Sequence, residues 1–343
     1  MKKFYAFFLF LLFFTLQCSA PQKTKKTESV INLFNHEING LQEDKLRQAS
    51  DFFYNGSSSK SLEIYNDLLN SFMSADNQEA VVNTFFLIAN NLTSQKRFND
   101  ALRVLQINGK RISLMFEPSK IKKYYKTLYM LEMSYLLLES NLASSEYTEG
   151  FLKHSLLMAS ELENNYLTMK AFKNLGVYHL NRFYLLSSEP GKDPQKTETD
   201  IKTSSLIEVG LSIEYLQKAF AIANKVRNLI ILAQTAAFLG QAYSLLDNYN
   251  LAFENYTIAY KLYQVNSYFF QQALVLNQMG NLSRKTDDYL SALRYYKRAE
   301  EIISKNETIE SEIKTPYLTQ LRKNILELYQ KLKDFEDLEK IYN

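Results

Sequence analysis

The side chains best equipped for chemistry in this chain are three histidines, a single cysteine and a run of serines ending in lysine. His36, His154 and His179 would supply imidazoles for metal ligation or proton transfer. No two of them stand three or four residues apart, the spacing that puts a pair of ligands on one helical face. His36-Glu37 opens like the helix-borne zinc motif, but the place of the second histidine is taken by Gly40, which has nothing to ligate with. Ser57-Ser58-Ser59-Lys60 has the spacing of a serine nucleophile and its lysine base, yet no Lys-Thr-Gly or Ser-Asp-Asn accompanies it. Serines directly ahead of an amphipathic stretch are read instead as a helix cap. The carboxylates Glu300, Glu301, Glu307, Glu310 and Glu312 fall where helix surfaces and ends carry solvated charge. The chain also lacks a phosphate-binding loop and a Gly-x-Ser-x-Gly turn. The expectation is a non-enzymatic protein without catalytic, cofactor or metal residues.

Cys18 is the only cysteine, so neither an intramolecular disulfide nor a multi-cysteine metal site can form. Its setting points to export. Residues 1–20 carry Lys2 and Lys3 ahead of an apolar run from Phe4 to Leu16, too short to span a membrane comfortably and followed by small residues. Two processing readings stay open. Cys18-Ser19-Ala20 fits a signal peptidase site, and Cys18 also fits the lipidated first residue of a bacterial lipoprotein, with residues 21–28 as a polar tether. Gln17 and Leu16 depart from the usual residues of a lipoprotein box. The formal net charge is only +3, of which the signal holds two lysines. That balance gives no electrostatic case for nucleic acid.

The elements that must position any site are helical. The 343 residues are 46% hydrophobic and 22% charged with 9 Gly and 5 Pro, too few turn formers for an all-β protein. Pro21, Pro118, Pro190, Pro194 and Pro316 mark the breaks, because proline is costly inside a helix. Between them apolar and small residues recur at helical spacing, as in Leu229, Leu232, Ala233, Ala236, Ala237 and Gly240. Residues 187–205, with two prolines and a glycine among polar residues, predict a solvated loop.

A self-comparison finds a repeat. Leu239-Gly240 with Ala252, Tyr256 and Ala259 aligns with Met279-Gly280, Ala292, Tyr296 and Ala299, 40 residues on. Upstream copies are Leu175-Gly176 with Ser212, Leu216 and Ala219, and Ile88-Ala89 with Ala101 and Leu105. Ser61, Tyr65 and Leu68 fit the second half of a first copy, and Leu152, Leu156 and Ala159 that of a third. Leu326, Tyr329, Leu338 and Tyr342 fit a last one. His179 falls in the aromatic slot of its copy, which predicts a packed imidazole. Each glycine, at a cost of about 1 kcal/mol in a helix interior, is expected to admit the small residue of the partner helix.

The Leu-Gly-x-x-Tyr and Ala-x-x-x-Tyr-x-x-Ala elements resemble the tetratricopeptide repeat (TPR), without its usual Trp and terminal Pro and with a longer period. The resemblance implies an all-α fold, a right-handed α-α superhelix of about seven helical hairpins over residues 29–343, with the 187–205 loop as an insertion. It also implies a concave groove lined by first-helix positions. Carried over, these are Lys170 and Lys173, then Gln234, Gln241 and Ser244, then Asn277, Asn281 and Arg284, then Gln320 and Lys323. Amides there would pair with an extended peptide backbone, and the cations with carboxylates. Val177 stands where a two-carboxylate clamp needs Asn.

The groove and the leader together set the expectation of a scaffold or adaptor that binds partner proteins or extended peptides of the cell envelope. Its expected place is the periplasmic side, with a flagellar-motor or outer-membrane assembly complex as candidate settings. An adaptor for cell-wall enzymes is one alternative. A sensor module is another, although that would call for a membrane span and output domain, neither of which precedes Asn343. Membrane contact is expected only through a lipid on Cys18.

Overall fold

The computed structural model describes residues 38–115, 119–140, 146–188 and 198–342. The expected signal at 1–20 with Cys18, the tether at 21–28 and His36 lie outside the described residues. Among the described residues every regular element is a helix. In order these are α1 Gly40–Tyr54, α2 Ser58–Ser74, α3 Gln78–Ser94, α4 Phe98–Leu114, α5 Ser119–Glu139, α6 Glu146–Glu161 and α7 Asn165–Ser188. They continue with α8 Glu198–Lys225, α9 Leu229–Leu245, α10 Tyr249–Val265, α11 Phe269–Lys285, α12 Tyr289–Lys305 and α13 Ser311–Tyr342. Each helix packs on the next in the chain, which makes an all-α helical solenoid of six hairpins and a final single helix.

The 40-residue period has a local cause. Helices α2, α3, α4, α9, α10, α11 and α12 are each 17 residues long, and the links between neighbours among them are three residues. In each such link the middle residue is left-handed, as at Asp76, Lys96, Asp247, Ser267 and Asp287, and Glu163 ahead of α7 and Arg227 ahead of α9 repeat the geometry. The residue after it reaches back to close the helix, as when Asn228 N–H donates to Ala223 O at 2.9 Å and Asp288 N–H to Ser283 O at 2.9 Å. Where that residue is Asn or Asp it then caps the next helix, while Arg97 and Tyr268 do not. The side chains of Asn77, Asn228, Asn248 and Asp288 accept the amide three residues on, and Asn164 does so ahead of α7.

The glycines pack differently from expectation. A Cβ on Gly240 would lie 2.7 Å from Tyr256 Cδ1, one on Gly280 2.5 Å from Tyr296 Cε1, and one on Gly176 2.5 Å from Leu216 Cγ. The residue that needs the space is thus the bulky one a turn beyond the small residue. Ala252 and Ala292 are buried and do not meet the glycine most closely. Tyr256 and Tyr296 lie across the helix backbone at these gaps, and the lost helix propensity is offset by dense packing.

Two boundaries also differ. α7 extends to Ser188 and α8 begins at Glu198, so the ends of the expected 187–205 loop are helical, and residues 189–197 lie outside the described residues. No Pro or Gly follows Pro194 until Gly210, and the buried stripe Ser205, Val209, Ser212, Leu216, Ala219 and Ala223 carries helical order back towards the prolines. At the other end, the expected last hairpin is the single unbroken helix α13, with Pro316 inside it. Pro316 lies in the second turn, and the stretch where a link was expected has no Gly or Pro to make one.

Candidate functional site

The first hairpin returns to meet the last ones. Tyr54 stacks on Tyr268 with ring centroids 4.7 Å apart, and Glu310 N–H donates to Gly56 O at 3.1 Å. Gly56 has φ +78°, and a Cβ on it would lie 3.3 Å from Ile309 and 3.4 Å from Phe270. Helix α2 makes no side-chain cap of its own, and neither does α11. Each receives one from across the closure. The Glu310 carboxylate accepts Ser59 N–H at the start of α2, and Asn55 Oδ1 accepts Phe269 N–H at 2.8 Å at the start of α11. A carboxylate on those free amides is also favoured by the helix dipole. Ser57 therefore occupies the expected cap position without performing the task, and its hydroxyl is buried.

The closure turns the concave face into a partly enclosed cavity of about 510 Å³, lined mainly by the first helices of the hairpins. Tyr54, Tyr65, Tyr135, Tyr166, Tyr256 and Tyr263 contribute to its wall, with Asn90, Asn174, Gln271 and Gln278. Burial raises the phenols of Tyr54, Tyr135 and Tyr166 above their ordinary range, so they stay protonated and can donate a hydrogen bond.

Of the residues carried over as groove contacts, Lys170, Lys173, Gln234 and Gln241 line this cavity. Lys170 is buried and ion-paired with buried Glu132, whose other oxygen accepts from Asn90 at 3.1 Å. Burial by itself would lower the Lys170 ammonium, but the Glu132 carboxylate together with the neighbouring Tyr166 outweighs it and holds it above the usual range. Lys173 has no such partner. It donates to Gln234 Oε1 at 3.3 Å and lies 5.9 Å from the Tyr135 ring centre. Burial and the like charge of Lys170 push its ammonium down to about 8. Glu139 lies at the rim with its carboxyl pushed up by burial. Gln241 donates to the Tyr184 hydroxyl at 2.9 Å, and Val177 forms part of the wall.

The rest of the set is not among the lining residues. Asn281 is engaged inside its own hairpin, where its Oδ1 accepts from the Tyr296 hydroxyl at 2.7 Å and its Nδ2 donates to Gln278 at 3.2 Å. The Asn277 Oδ1 is buried without a partner among the described residues. Arg284 pairs with Glu327 of α13 at 3.3 Å, Gln320 bonds Asn324, and Lys323 is exposed on α13. The physical reason is the single final helix. α13 packs against α11 and α12 as a cover, so the cations expected to face a ligand meet α13 or solvent instead. Sequence reasoning missed Glu132, Glu139 and the tyrosines. The recurrence of Tyr at first-helix starts and ends, as in Tyr54, Tyr135 and Tyr166, was the available signal.

His179 has a structural role, whereas His154 is exposed on α6. His179 is buried, its Nδ1 lies 2.6 Å from Glu208 Oε2, and its ring stacks on Tyr215 at 5.4 Å. No group of three or more metal-ligating side chains occurs among the described residues, and no described helix is long and apolar enough to cross a membrane.

Fold and cavity together define a helical repeat protein whose hairpins curve round a tyrosine-lined interior. The chain matches no protein-family model and no curated protein. Among solved structures it is similar to the crystal structure of BtubC (BKLC) from P. vanneervenii, at 14% identity over 78% of this chain and 92% of that chain, with a TM-score of 0.49.

Proposed function

We propose that this protein is a non-enzymatic, TPR-type adaptor of the bacterial cell envelope that holds an extended segment of a partner protein in its interior. The observation that carries the reading is the cavity wall itself. Protonated phenols, the amides of Gln234, Gln241 and Asn174, and Lys173, which forms no ion pair among the described residues, are what an unpaired peptide backbone and a carboxylate need. The apolar leader ending at Cys18 supports export and a periplasmic location, with a lipid on Cys18 as the anchor. The test is capture of partners from envelope extracts. Gln234→Ala with Gln241→Ala should lose them while the fold is retained, and unchanged capture would end the assignment. Palmitate labelling of wild type against Cys18→Ala checks the anchor, which fails if wild type takes no label.

A further inference from the structure

A second depression crosses the chain away from the central cavity and shares no lining residue with it. It lies over α4, α5 and α6 with a volume of about 1040 Å³, and has Met130, Met158 and the ring of Tyr129 as its apolar floor, with half-exposed Ile107 on the α4 wall. Gly109 gives it depth, because a Cβ there would lie 3.0 Å from Tyr129 Cε2. Its rim is basic. Arg103, Lys110, Lys126 and His154 line it, all four are exposed, and no Asp or Glu is among its lining residues. Arg103, Lys110 and Lys126 form no ion pair among the described residues, whereas nearby Lys123 and Arg97 are paired with Glu161 and Asp100. The whole-chain charge hides this concentration. Residues 96–126 hold nine Lys and Arg against two Asp and Glu, in a chain whose net charge is +3.

We infer that this groove docks an acidic amphipathic helix of a partner protein. Arg103, Ile107 and Lys110 stand at i, i+4 and i+7 on α4, which places cation, apolar and cation in one row about 10 Å long. A partner helix laid along that row meets it with an acidic residue, an apolar residue one turn on and an acidic residue two turns on. Methionine floors accommodate apolar side chains of differing shape, which suits a helix-in-groove contact. The two alternatives are a membrane surface, which would use protruding apolar residues, and nucleic acid, which would use a flat basic face. A recessed floor with cations on its rim suits the helix better.

The experiment uses a fluorescein-labelled peptide with a Leu stripe and Glu at i and i+7, and a scrambled peptide of the same composition, in anisotropy titrations of the whole protein. The amphipathic peptide should bind, and more weakly as salt rises. Lys110→Glu with Lys126→Glu should weaken it at least about tenfold, with the helical circular-dichroism signal unchanged. The same variant should gain affinity for the peptide with Lys in place of Glu. Equal binding of the scrambled peptide, insensitivity to the charge reversal, or no binding of the amphipathic peptide overturns the proposal. Preferential binding of phosphatidylglycerol vesicles or duplex DNA, lost on the same reversal, overturns it in favour of those surfaces.

Discussion

The glycine slots yield a test of the repeat logic that does not depend on any partner. Replacing Gly240 by Ala adds one methyl group at a point 2.7 Å from Tyr256 Cδ1 and 2.9 Å from its Cγ. Contact with the root of the ring cannot be relieved by a small swing of the side chain, so helices α9 and α10 must separate or Tyr256 must leave its rotamer. Ala gains about 1 kcal/mol of helix propensity over Gly, while overpacking costs about 1–3 kcal/mol. The net expectation is a loss of about 1 kcal/mol. Tyr256→Leu alone removes ring contacts and should cost a further few kcal/mol. The double variant should cost less than the sum by at least about 1 kcal/mol, since neighbouring sites couple. The chain already contains that combination, with Ala89 and Leu105 in the corresponding slots of α3 and α4, both buried. Urea denaturation of the four proteins, followed by circular dichroism, gives the cycle. Additive losses, or a Gly240→Ala protein more stable than wild type, would refute the close-approach reasoning.

Three other outcomes follow from the interior and the closure. The folded-state Lys173 ammonium at about 8 lies below its ordinary 10.5, so between these values the unfolded chain binds the extra proton and stability rises with pH. Lys173→Met removes a cost that is fully present below pH 8, so it should be more stable than wild type at about pH 7 and lose that advantage by about pH 10; parallel urea midpoints across this range would contradict the assignment. Glu132→Gln leaves Lys170 buried without its counter-charge and should cost about 3–5 kcal/mol, much of it restored by adding Lys170→Met; calorimetry of both variants decides. Asn55→Ala and Glu310→Ala each delete a cap worth about 1 kcal/mol. Hydrogen exchange should accelerate at Phe269 and Ser59 respectively while the self-capped Ala80 amide is unaffected, and equal change at all three would count against a local closure.

The sequence carried the helices, their pairing and their period because those reside in local spacing. Gly176, Gly240 and Gly280 advertise close approach, and Ala252 and Ala292 keep a fixed distance from them. The turns were less visible, since the left-handed residues Asp76, Lys96, Arg227, Asp247, Ser267 and Asp287 are not glycine. Their only local mark is the Asn or Asp that follows four of the six. Long-range relations were out of reach. That Glu310 caps α2 across 251 positions, or that Asn55 caps α11, depends on the summed curvature of every intervening hairpin. Half of the candidate site followed the same division. Lys170, Lys173, Gln234 and Gln241 were placed by first-helix positions carried over from the TPR resemblance, whereas Asn281 turned on its bond to Tyr296 within the hairpin, and Arg284 and Lys323 on where α13 lies.

The meeting of the first hairpin with the last constrains how the molecule can change. In an open array each repeat answers only to its neighbours, so units can be gained or lost at roughly proportionate cost and the ends fray first. Here the hairpins behave as staves in a barrel. Each contributes a share of the turn that brings Asn55 to Phe269 and Glu310 to Ser59, so the number of staves is fixed by the circumference. Adding or removing one would leave both caps out of reach and open the interior. The number of residues between helices can vary, as nine separate α7 from α8, but the count of hairpins cannot vary without giving up the cavity.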